Sequence, residues 1–254
     1  VLDDLHFQYA DYAAWQRKYL SGDLLAKKLN WWTDQLKDVA PLQLPTDFLR
    51  PAIQSTSGKV VHMGMEIVLV DQLKAFAQAQ GVSLFMVMLT IWKILLQRYS
   101  GQNDICVGVP SANRNQIDVE SLVGFFLNTL AFRSEVNGNE SFIDLLKEVK
   151  NTALKTFEHQ EVPFAHIVEK VEPKRDLSRS PLFQVMFDVQ SKTEDFEVKV
   201  EHLEIESVPI EQIGSQYDLI FTATEFSDGM VLRMVYCDEL FTESRIQQMV
   251  QHYI

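Results

Sequence analysis

Cysteine is scarce: Cys106 and Cys237 are the only two in 254 residues. Two thiols cannot build the disulfide framework of a small secreted scaffold or a four-thiolate zinc site. Both lie in apolar, strand-like runs, where a free thiol behaves as a small buried hydrophobe, and a reducing compartment is the expectation. Positive charge is also short, with 23 Lys and Arg against 35 Asp and Glu, a formal net charge of −12. That balance excludes a duplex nucleic acid or an anionic membrane as the natural partner, because phosphate surfaces attract Lys and Arg fields. A small anion held by one local arginine stays possible. The acidic excess concentrates in residues 191–230, where Lys192 and Lys199 are the sole cations. No apolar run reaches the roughly 18 residues that a membrane span needs. The longest candidate, Leu84 to Leu96, is interrupted by Thr90 and Lys93 and reads as a core helix. No signal-peptide pattern opens the chain. Val1 is not an initiator methionine, and the chain is expected to be a piece of something longer. HExxH, CxxC, GxSxG and a glycine-rich phosphate loop are all missing.

What is present is a foldable chain, 46% hydrophobic and 11% aromatic, which excludes disorder of the whole. Residues Gln8 to Leu36 read as helix, broken near Ser21-Gly22, with Trp15, Tyr19, Leu25, Leu29, Trp32 and Leu36 spaced to share one apolar stripe. Pro41, Pro45 and Pro51 make a stiff extended connector to about Ser57. Alternation over Val60 to Leu69 predicts a strand, followed by a helix from Asp71 to Gln80 that Gly81 closes. Ser83 is the expected cap of the helix Leu84 to Tyr99, and Ile105 to Val109 a short covered strand. Leu122 to Arg133 is strand-like at its C-terminal end, and a helix from Phe142 to Phe157 follows, capped by Ser141 or Asn139. His159 to Val171 holds a short helix entered through Pro163. Strands are expected at Leu182 to Val189 and Phe196 to Ile205, then a hairpin of Tyr217 to Phe226 and Met230 to Tyr236 around Ser227-Asp228-Gly229. A helix from Thr242 ends the chain. The expected fold is α/β, a two-layer sandwich with a mixed β-sheet and packed helices.

The residues alone declare no active site. His159 and His166 are seven apart, but Pro163 between them spoils a two-ligand helical geometry, so no metal site is expected. His159, in the run HQEVPF, reads as a general base or, more ordinarily, as a side chain satisfying a turn. Asn128 and Thr129 are polar residues in the apolar run VGFFLNTLAFR, and either tie strands together or face a channel. The run RDLSRSPLF offers Arg175 and Arg179 as an anion clamp. The alternative is an ordered loop in which Arg175 pairs with Asp176 and Arg179 bonds backbone carbonyls.

Taken in order and spacing, YADYAAWQ (Tyr9 to Gln16), VGFFLNTLAFR (Val123 to Arg133), HQEVPF (His159 to Phe164) and RDLSRSPLFQVMF (Arg175 to Phe187) resemble the later core motifs of the condensation domains of nonribosomal peptide synthetases. The run VSLFMVMLTIWKILLQRYSGQNDICVGVPSANRN is similar to that family too, so the resemblance covers essentially the whole chain. It implies a chloramphenicol acetyltransferase-like lobe, one of two between which a tunnel admits carrier-borne substrates. It also implies residues 1–57 as inter-lobe helix and proline-rich connector and 58–254 as the C-terminal lobe. The family's His-His-x-x-x-Asp-Gly signature, which belongs to the other lobe, is absent from these residues, so no catalytic residue is expected here. Two departures are minor: Ala165 stands where the family often has Glu, and Ser180 where it commonly has Asn.

Carried over position by position, Gly124, Asn128 and Thr129 resemble the inter-lobe or tunnel-proximal segment. Tyr9, Asp11, Tyr12 and Trp15 fall in the first motif, and His159, Gln160, Pro163 and Phe164 resemble a structural turn. Arg175, Asp176, Arg179 and Pro181 resemble the ordered loop before a core strand. The resemblance implies amide formation between a donor and an acceptor thioester, with phosphopantetheine carried covalently by partner domains and no cofactor bound directly. Implied partners are the N-terminal condensation lobe, upstream and downstream peptidyl carrier domains and an adjacent adenylation domain, in the cytoplasm. A lobe of a related epimerisation or heterocyclisation domain, or a degenerate recruitment domain, are the competing readings.

Overall fold

In the computed structural model residues 5–171, 176–191 and 213–254 are described. The long N-terminal helical run is two helices, α1 (Tyr9–Tyr19) and α2 (Gly22–Gln35). Gly22 lies at φ 55, a left-handed backbone that glycine adopts without a Cβ clash, and it redirects the chain at the expected break. The redirection also corrects the expectation of one shared stripe. Trp32 and Leu36 enter the core, whereas Trp15 and Tyr19 stay on the open side of α1.

The strand reading over Val60 to Leu69 overruns. β1 spans Ser57–Glu66 and α3 spans Ile67–Gln80, so Ile67 and Leu69 are helical. Leu69, Val70, Leu73, Phe76 and Ala77 recur at helical spacing and pack into the core, and this tertiary contact overrides the β preference of the short run. α4 (Leu84–Ser100) is capped by the Ser83 hydroxyl, which accepts from the Met86 N–H, and α5 (Phe142–Glu158) likewise by Ser141, not Asn139. β2 (Asp104–Ser111), β3 (Asn128–Glu135), α6 (Phe164–Val171) and β4 (Val185–Ser191) follow. The short β5 (Ile213–Gly214), the hairpin of β6 (Leu219–Phe226) and β7 (Gly229–Cys237), and α7 (Glu243–Tyr253) complete the order. The strand expected at Phe196 to Ile205 lies outside the described residues, as does Arg175.

The seven strands form one sheet in the order β3-β2-β4-β6-β7-β1-β5. β2, β4 and β6 run parallel, and the remaining neighbours are antiparallel, which gives the expected mixed sheet. Along β6, Leu219, Phe221 and Ala223 are buried while Ile220, Thr222 and Thr224 are half-buried, so helices cover one face. α4 is the centre of that layer. Its Trp92 meets Phe221 at 4.9 Å between ring centroids, and Phe221 meets Tyr253 of α7 at 4.6 Å. No single helix among the described residues is long and apolar enough to cross a membrane.

Candidate functional site

α1 buries no residue completely; its aromatic side chains instead form a ladder. Ring centroids lie 6.2 Å apart for Tyr9 and Tyr12, 5.7 Å for Tyr12 and Trp15, and 4.9 Å for Trp15 and Tyr19. Asp11 serves the start of the helix, its carboxylate accepting from the Gln8 N–H at 2.9 Å. The base of the ladder docks on the excursion between β2 and β3, residues 112–127. The Tyr9 hydroxyl donates to the Phe125 carbonyl at 2.8 Å, and its ring meets Phe126 edge-on at 5.1 Å. Gly124 permits this approach, because a Cβ there would overlap the Tyr9 ring.

The excursion has its own small core of Val119, Leu122 and Phe126, against which Phe7, Tyr9 and Tyr12 pack. Arg114 lies over the Phe126 ring at 4.1 Å and donates to the Val119 and Glu120 carbonyls. The inner side is therefore pinned, while the outer side presents Ile117, Val123, Phe125 and Leu127 to solvent, Val123 at 91% and Phe125 at 75% exposure. Between α1 and the excursion runs a groove of about 180 Å³ whose walls include Tyr12, Gln16, Asn113 and Glu161. Burial, then the neighbouring Tyr9 and Glu161, raises the Tyr12 pKa, so its hydroxyl stays protonated and able to donate.

The turn after α5 forms the back of this site. The Asn128 carboxamide donates to the Gln160 and Val162 carbonyls, each at 2.8 Å, and accepts from the Phe164 N–H at 3.0 Å. Asn128 thus ties a strand to a turn, and it also lines the groove. Thr129 sits half-exposed on β3 opposite Pro110. Gln160 accepts from the Ser111 hydroxyl at 2.9 Å, and Pro163 opens α6 by accepting from the His166 N–H at 3.0 Å. His159 is stacked on Trp31 at 4.1 Å, and its Nδ1 donates to the Lys155 carbonyl at 2.9 Å. Its backbone carbonyl accepts from the Trp32 indole at 3.1 Å. Those contacts place His159 in the turn. Phe164 packs on Phe183 at 5.4 Å.

The loop before β4 fastens the proline connector. Asp176 accepts from the Ser178 N–H at 2.9 Å and from its hydroxyl at 2.7 Å. Arg179 reaches the Asp176 carboxylate at 3.7 Å and donates to the Gln43 side chain at 3.2 Å. These side-chain acceptors replace the expected backbone carbonyls because the connector brings Gln43 alongside. Pro181 accepts from the Phe183 N–H at 2.8 Å across a tight turn with Leu182 at φ 66. The buried Gln184 then accepts from the Leu42 N–H at 2.6 Å. Arg50 of the connector pairs with the buried Asp218 through both carboxylate oxygens, one of them at 2.9 Å.

Several of these groups carry no signal in the sequence. Glu161 stands inside HQEVPF with nothing to single it out, and Arg50 and Asp218 lie 168 positions apart with no local pattern joining them. Lys93 shows in the sequence only as the charge interrupting an apolar helix. It is fully buried, and desolvation pulls its pKa from 10.5 down to about 8. No group of three or more potential metal ligands occurs among the described residues.

The family model for the condensation domain matches residues 2–254. A linear gramicidin synthase of Brevibacillus parabrevis is 42% identical over 99% of this chain, and tyrocidine synthase 3 of the same organism is 40% identical over all of it. The chain spans only 3% and 4% of the lengths of those two relatives. The crystal structure of the X-domain from teicoplanin biosynthesis superposes with a TM-score of 0.88 at 22% identity, covering 99% of this chain and 59% of that one. The last likeness concerns the fold alone.

Proposed function

The chain belongs to the condensation-domain family, and from that premise we propose that it is the C-terminal lobe of a nonribosomal peptide synthetase condensation domain. The parent enzyme would join a donor aminoacyl or peptidyl thioester to the amine of an acceptor aminoacyl thioester in the cytoplasm. Upstream and downstream carrier domains would present both substrates on phosphopantetheine arms, with an adenylation domain adjacent. Residues 1–57 would serve as the inter-lobe connection and 58–254 as the lobe proper.

One observation carries the reading: the β2–β3 excursion is packed on its inner side and apolar on its outer side. Ile117, Val123, Phe125 and Leu127 form the kind of surface that a second lobe buries. The motif residues support that frame without performing proton transfer. Tyr9 and Gly124 seat α1, Asn128 fixes the turn at His159 to Phe164, and Arg179, beside Asp176, bonds Gln43 of the connector. The lobe's contribution is then orientation, which can lower a barrier by roughly 7–11 kcal/mol when two tethered reactants are held in line.

The test mixes this chain with loaded donor and acceptor carriers, alone and with a family first lobe bearing the His-His-x-x-x-Asp-Gly signature. Amide product is expected only from the two-lobe mixture. Turnover by the 254-residue chain alone at the two-lobe rate would overturn the division of labour. Epimerised or heterocyclised product from the pair would assign the lobe to a related domain instead.

A further inference from the structure

The sheet has a second face, turned away from α4 and α7, and register places one polar row across it. His62 of β1 lies opposite Arg233 of β7, Arg233 opposite Thr222 of β6, and Thr222 opposite Asp188 of β4. Register partners share a face, and side chains alternate along a strand. The adjoining residues Val61, Met234, Phe221 and Phe187 are in the core, so this row points the other way. Arg233 is half-buried, and its guanidinium makes no ion pair or hydrogen bond among the described residues. Asp188 does not neutralise it: neighbouring strands lie about 4.8 Å apart, which sets the two backbones roughly 10 Å apart. Thr222 stands between them, and the Asp188 carboxylate accepts instead from the Gln190 side chain at 2.6 Å.

Arg233 rises from aliphatic ground. Val231 and Val235 flank it on its own strand, with Val60 of β1 and Ile220 of β6 on the diagonals. Val235 is closed off at 2% exposure. An unpaired guanidinium in such surroundings attracts an anion more strongly than one in open water, and its fork fits a carboxylate through two parallel bonds. On either side, the exposed His62 ring and the Thr222 hydroxyl offer further N–H and O–H donors. A third diagonal position is Gly64, opposite Val231. It is exposed, and a Cβ there would meet nothing within 4 Å, which leaves a notch one side chain wide beside Arg233. A glycine inside a strand forfeits packing, a loss that suits a place where a ligand approaches the backbone closely.

We propose that this row is a binding site for a small aliphatic carboxylic acid in its ionised form. The carboxylate takes two bonds from Arg233 and a third from Thr222 or His62, and the hydrocarbon lies in the Gly64 notch against Val231 and Val60. No covalent step is involved. The overall charge of −12 opposes an anion only weakly, since physiological salt screens exposed charges beyond about 8 Å. The site is independent of the proposed lobe function: it shares no residue with the α1 groove and needs neither a first lobe nor a carrier domain.

Titrating the 254-residue chain with isovalerate, followed by calorimetry and by the NMR signals of His62 and Val231, tests this. One saturable site is expected, with shifts confined to the row and its aliphatic neighbours. Formate keeps the charge and lacks the hydrocarbon, and it should bind at least about tenfold more weakly. Isopentanol keeps the hydrocarbon and lacks the charge, and the same loss of at least about tenfold is expected. Arg233→Gln should weaken isovalerate by at least about tenfold, the scale of a charged hydrogen bond. Gly64→Val fills the notch while leaving every charge in place, and should cost isovalerate about tenfold and formate nothing. No saturable binding up to about 10 mM, equal affinity for isovalerate and formate, or shifts centred elsewhere would overturn the site. So would unchanged affinity in Arg233→Gln, and an unaffected Gly64→Val would overturn the notch. Thermal unfolding checks that both variants fold; if either does not, the wild-type shifts and the formate and isopentanol titrations decide.

Discussion

Asn128 and Lys93 show how a single polar side chain inside an apolar run acquires its role. Asn128 makes three hydrogen bonds to one turn, so the carboxamide is saturated by backbone groups that otherwise lack partners. Asn128→Ala removes all three and leaves those groups orphaned, and a loss of about 2–3 kcal/mol in denaturant unfolding is expected. Asn128→Asp should cost more, because a carboxylate would face two carbonyl oxygens. Lys93 works in the other direction. Its folded pKa of about 8 lies below the ordinary 10.5, so between those values the unfolded chain binds more protons and stability rises with pH. Above about pH 9 the buried Cys106 opposes this, since its thiol is held protonated to about 12 in the fold and ionises earlier when unfolded. Unfolding free energy is therefore expected to increase by about 1 kcal/mol from pH 8 to 9 and then to turn over. Lys93→Met should remove the rise while leaving the turnover, as measured by urea titration across that range.

Besides the apolar core, polar staples pin the connector and the start of α7. The connector between α2 and β1 has almost no secondary structure, yet Gln184, Asp218 and Ser180 each anchor a different part of it. α7 is fixed in the same manner. Asp47 of the connector accepts from the Thr242 N–H at 2.8 Å and the Thr242 hydroxyl at 2.9 Å, at the start of that helix. The Arg245 hydrogen bond, against desolvation and with help from Thr242, lowers the Asp47 pKa from 3.8 to about 2. A depressed carboxylate contributes stability above its unfolded pKa and loses it as pH falls through the folded one. Asp47→Asn should accordingly lower Tm at pH 7 and have little effect at pH 2, which thermal unfolding of both proteins at the two pH values checks. β1 and α3 carry the opposite lesson about elements. Their boundary at Glu66 is set by which side chains reach the core, and the alternating run through Leu69 could not reveal it.

At the scale of the whole molecule the sheet has helices on one face and an outwardly apolar excursion at one end. Replacing Val123 and Phe125 by serine should leave Tm nearly unchanged, because both side chains face solvent. The double variant should bind less of an apolar dye than the wild type and should weaken rescue by a first lobe. Unchanged rescue would remove the excursion from the inter-lobe surface. The order of residues is enough to specify the helices with strong periodicity, the Ser83 cap, the break at Gly22, the β6–β7 hairpin and the family, since each is written in neighbouring residues or in the succession of motifs. The roles of the motif residues arise only when the chain is folded. Asn128 meets Val162, Arg50 meets Asp218, and Lys93 meets Ser134 across separations of 34, 168 and 41 positions. Hydrogen bonds and buried charge depend on distance and desolvation in space, and neither quantity is carried by local pattern.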